Sequence, residues 1–153
     1  PDKFHGHAYL LYPLAPRAEA ARLGLYALVQ LGSYDAIASA VLNANGTTVS
    51  NWWPIAYALG RVGDAKAIPV LQGLLPTPGR FTAAFAARGL GALKAQPAAA
   101  ALRDIVDRRQ RDPAVAVEAM RALAAIRDAA SVPVLIWLAL PLMVVPCPAW
   151  TAS

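Results

Sequence analysis

Two histidines, His5 and His7, stand one residue apart in Phe4-His5-Gly6-His7, with Asp2 close by. Imidazole and carboxylate are metal ligands, but a closed zinc site takes four, and no third strong ligand follows in the neighbouring sequence. No metal or other cofactor is therefore expected. The single cysteine, Cys147, sits between Pro146 and Pro148 in an apolar stretch. A reactive thiolate needs a polar setting and a nearby base, and an internal disulfide needs a second cysteine. Ser33, Ser39, Ser50 and Ser131 fall at predicted helix ends or on helices without a histidine nearby, so helix capping is their expected role. Asp64 and Asp104 are candidates to approach one another in space, but nothing in the spacing of the carboxylates defines an acid–base pair. No glycine-rich phosphate loop follows a strand. No catalytic residue is assigned, and the chain reads as non-catalytic.

A second pattern points to binding. Tyr26, Tyr57, Arg88 and Arg121 each stand immediately before an Ala-Leu or Gly-Leu pair, at steps of 31, 31 and 33 residues. If those steps are structural repeats, the four side chains form a row. Tyrosine and arginine are enriched at interface hot spots, and they also stack on bases and grip phosphates. The competing expectation is that these long side chains only cover the seam between neighbouring helices. Arg61, with Arg88 and Arg121, would suit a polyanion if the three share a surface. Trp52 and Trp53 follow a polar loop, and one is expected in the core with the other partly exposed.

The elements that must position this row come from internal repetition. The segment Ala58-Leu59-Gly60-Arg61-Val62-Gly63-Asp64 leads into Ala67-Ile68-Pro69-Val70-Leu71. It matches Ala27-Leu28, Leu31-Gly32-Ser33 and Ala36-Ile37 upstream. Downstream it matches Gly89-Leu90-Gly91-Ala92-Leu93 with Pro97-Ala98, and then Ala122-Leu123 with Asp128 and Val132-Pro133-Val134-Leu135. Four copies follow, at 17–43, 51–75, 80–110 and 113–140. They are preceded by an N-terminal segment (1–16) and followed by an irregular apolar tail (141–153).

Each copy reads as two helices. In copy two, Trp52, Ile55, Ala56, Leu59 and Val62 recur at the spacing of one helix face over 51–62. Ser50 or Asn51 is expected to cap that helix, and Pro54 is tolerated in its first turn. Gly63 is expected to end it and Asp64 to cap the next, over 65–75, whose stripe is Ile68, Leu71, Leu74 and Leu75. The other pairs are predicted at 17–31 and 34–43, 80–93 and 97–109, and 113–126 and 130–140. Pro76-Thr77-Pro78-Gly79 separates copies two and three, and the loop over 43–49 is expected to be exposed and mobile. One helix pair cannot bury its own apolar face, so the copies must stack. The predicted fold is an all-α solenoid of about four helix pairs.

Composition agrees. The 153 residues are 58% hydrophobic and 15% charged, below the usual charged share of about 25%, which excludes a disordered chain. The net charge of +5 permits nucleic-acid or anionic-membrane contact. The only dense basic cluster is Arg108-Arg109-Gln110-Arg111, so a protein partner is the stronger expectation and nucleic acid the weaker. Residues 129–153 carry no charge, but Pro141, Pro146 and Pro148 interrupt any spanning helix, and a membrane role is not expected. The terminal copies lack polar outer faces, which points to a fragment of a longer chain and to self-association through its ends.

The run Ala58 to Asp64 followed by Ala67 to Leu71 resembles the short HEAT repeat of the phycocyanobilin-lyase type, and the resemblance extends over 17–140. Copy one departs from it, with Ser33-Tyr34-Asp35 where Gly-Asp-Pro is usual. Copy three departs with Lys94-Ala95-Gln96, which lacks the aspartate. The resemblance implies an α-α superhelix used for protein contacts. Some members are subunits of bilin-attaching enzymes, so an enzyme-subunit role is the alternative to a scaffold, and a nucleic-acid-binding solenoid is another. The stretch Trp52-Trp53-Pro54-Ile55-Ala56-Tyr57-Ala58-Leu59 also resembles bacterial HEAT proteins that carry a cyclophilin-type domain elsewhere. No cyclophilin motif stands in this chain, so no isomerase activity is assigned.

Overall fold

The computed structural model describes residues 15–107 and 112–136. His5, His7, Cys147, the basic run 108–111 and the apolar tail lie outside the described residues. Among the described residues the helices run in order α1 (Ala15–Gln30), α2 (Tyr34–Val41), α3 (Trp53–Val62), α4 (Ile68–Leu74), α5 (Arg80–Ala92), α6 (Ala99–Asp107) and α7 (Pro113–Ile126). Residues 132–136 are helical again. Among the described residues there is no strand, only an isolated bridge between Leu42 and Thr48. The fold is all-α.

The repeat register reappears in the backbone. Gly32, Gly63, Lys94 and Arg127 all have positive φ, at 67°, 79°, 50° and 61°. They hold equivalent positions, one per copy, where the first helix of the pair ends. Glycine adopts this left-handed conformation without a Cβ clash, whereas Lys94 and Arg127 adopt it at a steric cost. Past that residue, copies two to four open the second helix with a short 3-10 turn. Its bonds run from Ala67 N–H to the Asp64 carbonyl (3.0 Å), from Ala98 to Ala95 (3.0 Å) and from Ser131 to Asp128 (3.1 Å).

Capping varies where the motif varies. Asp64 accepts from the Lys66 N–H at 2.8 Å, and Ser33 accepts from the Ala36 N–H at 3.3 Å. Ala95 makes no side-chain cap bond. Asp128 makes none either, because its carboxylate is drawn 2.6 Å from Arg103 Nη1 on α6. The start of α3 differs from expectation. Its N-cap is Trp52, without a side-chain cap bond. Ser50 accepts from the Trp52 N–H one step too early, and the Asn51 carbonyl accepts the Thr82 hydroxyl of the next repeat. Pro54 removes one of the N–H groups that a cap would have satisfied.

The loop over 43–49 is largely exposed, as expected, and is internally bonded. Asn43 donates to the Thr47 carbonyl at 2.8 Å, Gly46 to Asn43 at 2.9 Å, and Val49 to Val41 at 2.9 Å. The Asn45 side chain accepts from both the Thr47 N–H and the Thr47 hydroxyl.

The helices form two layers. α1, α3, α5 and α7 lie side by side, and the second helices lie behind them. α4 packs more on α5 than on α3, and α6 packs chiefly on α7, so these two second helices close their core with the following repeat, whereas α2 packs equally on α1 and α3. The equivalent leucines Leu59, Leu90 and Leu123 are fully buried, as are Leu71 and Leu102 in the second layer. Truncating such a side chain costs about 2–5 kcal/mol. α1 is the looser end, since Leu25 is its buried residue and Leu23 and Leu31 are exposed.

Small residues bring the first helices together. A Cβ on Gly60 would stand 2.7 Å from the Gly89 Cα, and one on Gly91 would stand 2.7 Å from the Ala122 Cα. In both pairs the Gly of one motif meets the small residue that opens the motif of the next. Copy one has Val29 at the Gly60 position, so this close approach is absent between α1 and α3.

Candidate functional site

Side chains on the outer side of the first-helix layer follow from its packing. Leu59 and Leu90 point inward, so Tyr57 and Arg88, two residues earlier, lie away from the core. Tyr57 is half-buried and Arg88 exposed. Tyr26 and Tyr57 meet edge to face, with ring centroids 5.3 Å apart and planes at 72°. Tyr57 meets Phe85 edge to face at 5.8 Å. Trp53, one turn before Tyr57, stacks on Phe85 at 5.2 Å with planes 24° apart. Four aromatic rings thus run without a break from α1 across α3 to α5. Each such ring pair contributes about 0.5–1.5 kcal/mol beyond its buried area.

Arginines border this ladder. Arg22 lies 5.0 Å from the centre of the Tyr26 ring and makes a two-point ion pair with Glu19, its Nε donating at 2.9 Å. Hydrogen bonding to Arg22 holds the Glu19 carboxyl below its ordinary value. Bonds to Glu19 and then to Tyr26 raise Arg22. Arg61 and Arg88 are different: both are exposed, and among the described residues neither has a carboxylate partner.

Two cavities open on this layer. One, of about 190 Å³, lies between α3 and α5 with Tyr57, Phe85, Arg61 and Arg88 around a floor that includes Gly60 and Gly89. The other, of about 370 Å³, lies between α5 and α7 and is lined by Phe81, Ala84, Phe85, Arg88, Val117 and Glu118, among others. Phe85 and Arg88 line both, so the two cavities adjoin one another on α5 and together form a groove surface over three helices. Gly60 and Gly89 line it where the two helices touch backbone to backbone, since a Cβ on either would stand within 3.0 Å of the other's Cα.

The row of equivalent positions is partly assembled. Tyr26 and Tyr57 touch, and Tyr57, Arg61 and Arg88 share a cavity. Arg121 lies beyond the groove and donates to Glu118 at 2.7 Å. Trp53 joins the ladder. Trp52 turns the other way and lines a separate apolar cavity of about 530 Å³ with Leu25, Val41 and Ile55. Sequence reasoning missed Phe85 and Phe81, although their spacing to Arg88 puts all three on one face of α5. Among the described residues no three His, Cys, Asp or Glu side chains gather as a metal site, and no helix is long and apolar enough to cross a membrane.

Comparison with known families gives the same architecture. The model for the PBS lyase HEAT-like repeat matches residues 55–75 and 115–140. The chain carries HEAT-like repeats. The matched segments begin on α3 and α7 and continue through the turn into the second helix of the same HEAT-like pair. No curated protein and no solved structure matches the chain.

Proposed function

We propose that this HEAT-like chain is a non-catalytic scaffold that holds a protein partner on its first-helix layer. One observation carries the reading: the unbroken Trp53, Phe85, Tyr57 and Tyr26 ladder stands beside Arg61 and Arg88, two guanidiniums that no carboxylate of the described residues pairs. Rigid aromatic rings lose little entropy on binding, and arginine supplies directional bonds at the rim, which is the composition of interface hot spots. The rings are already locked together before any partner arrives, so the surface is preorganised.

The nucleic-acid reading draws on the same arginines and rings, but a phosphate chain needs a run of free cations, and Arg22 and Arg121 on this layer are already paired with Glu19 and Glu118. The experiment is capture from lysate on the full chain and on Tyr57→Ser/Arg88→Glu, with and without nuclease, read by mass spectrometry. A discrete protein that survives nuclease and is lost on the double variant supports the scaffold. Loss of all binding after nuclease overturns it in favour of nucleic acid.

A further inference from the structure

Resting on that reading, we infer that the groove across α3, α5 and α7 takes an extended peptide segment that is acidic at one end and apolar at the other. The acidic end lies at Arg61 and Arg88. The apolar side chain sits in the 370 Å³ cavity against Phe81, Phe85 and Val117.

Charge complementarity sets the acidic end. Arg61 and Arg88 are the cations of the groove that no carboxylate of the described chain neutralises, whereas Arg22 and Arg121 are bound to Glu19 and Glu118. A guanidinium fork binds carboxylate with two parallel bonds, and here Tyr57 and Phe85 line the same cavity as the two arginines. The apolar end follows from the second cavity, where Phe81 and Val117 are exposed large hydrophobic side chains at 55% and 41%. Glu118 lines that cavity with its carboxylate already paired to Arg121, so that end offers no free cation to an acid, and this fixes the order of the two ends relative to α3 and α7.

Dimensions set the length. Packed helices lie about 8–10 Å apart, so three of them span about 16–20 Å, or about six extended residues. Because Arg88 borders both cavities, the acid and the apolar side chain stand about three residues apart at one helix spacing.

The test is selection of random peptides of about eight residues displayed against the full chain and against Arg61→Glu/Arg88→Glu. The wild-type chain should enrich peptides with Asp or Glu and, about three residues away, Leu or Phe. The winning peptide, synthesised and labelled, should lose about tenfold or more in affinity on the double variant and on Val117→Asp. It should lose as much on wild-type protein when its acids become Asn and Gln, a readout that no folding defect can mimic. Lys66→Glu, a single charge reversal on the second layer, should leave binding unchanged. The inference is overturned if selected peptides show no acidic bias, if the double variant binds them equally, or if Lys66→Glu weakens them as much. It is also overturned if oligothymidine displaces them and itself binds with the steep salt dependence of phosphate contacts. If the inference fails while a captured protein still depends on Tyr57 and Arg88, the scaffold reading stands with a different ligand chemistry.

Discussion

Replacing Gly91 by alanine tests the close approach of α5 and α7. The new Cβ would lie 2.7 Å from the Ala122 Cα and 2.9 Å from the Ala122 Cβ. Carbon atoms rest at about 3.5–4.0 Å, so the helices must part by roughly 1 Å, and a gap of that size forfeits a quarter to a half of the dispersion attraction along the interface. Overpacking of a tight core costs about 1–3 kcal/mol, and backbone against backbone puts this case at the upper end. Alanine returns about 1 kcal/mol of helix propensity. The net expectation is a loss of about 2 kcal/mol. Gly24→Ala on α1 is the internal control, since a Cβ there meets nothing within 4 Å. It should stabilise by about 0.5–1 kcal/mol through propensity alone. Urea unfolding followed by circular dichroism reads both, and the midpoints should move in opposite directions. Adding Ala122→Gly to Gly91→Ala should rescue only in part, because it removes the Ala122 methyl group and leaves the backbone of α7 in the way. A Gly91→Ala chain as stable as the wild type would refute the packing argument.

Other expectations follow from single residues. Arg127→Gly should stabilise by about 1 kcal/mol, because Arg127 ends α7 with φ 61° where glycine pays no steric cost; thermal unfolding measures it. Asp64→Ala should destabilise by about 1 kcal/mol through loss of the bond to the Lys66 N–H, visible in the urea midpoint. The Glu19 carboxyl should titrate below the ordinary glutamate range, as an NMR pH titration would record. The sign follows from that lowered value: the ion pair with Arg22 stabilises α1 above the unfolded carboxyl value and is lost as pH falls through the folded one.

Much of this architecture was legible in the repeat. The Ala58-Leu59-Gly60 motif placed Leu59, Leu90 and Leu123 in register, and burial of all three is what makes the helices stack. Gly63 and Asp64 announced the turn between paired helices, because a left-handed residue and a carboxylate cap are local devices that leave a local signature. What depended on distant partners was hidden. The start of α3 also carries a bond from a whole repeat away, since the Thr82 hydroxyl donates to the Asn51 carbonyl. Asp128 left its cap for Arg103. The composition of the loop over 43–49 showed its exposure but not its internal bonding, in which Thr47 donates to the Asn45 side chain across the turn. Tyr26 and Tyr57 were visible as equivalent positions, but Phe85 enters the ladder from a different position of its repeat. Only the offset between α3 and α5 brings it to both Tyr57 and Trp53.

The most direct measurement replaces Tyr57, Arg88 and, on the second layer, Ala101 one at a time by a photo-cross-linking residue in the full chain, irradiated in lysate. The account predicts that positions 57 and 88 cross-link to the same discrete protein and position 101 does not. Cross-links to a protein partner from position 101, with none from 57 or 88, would contradict it.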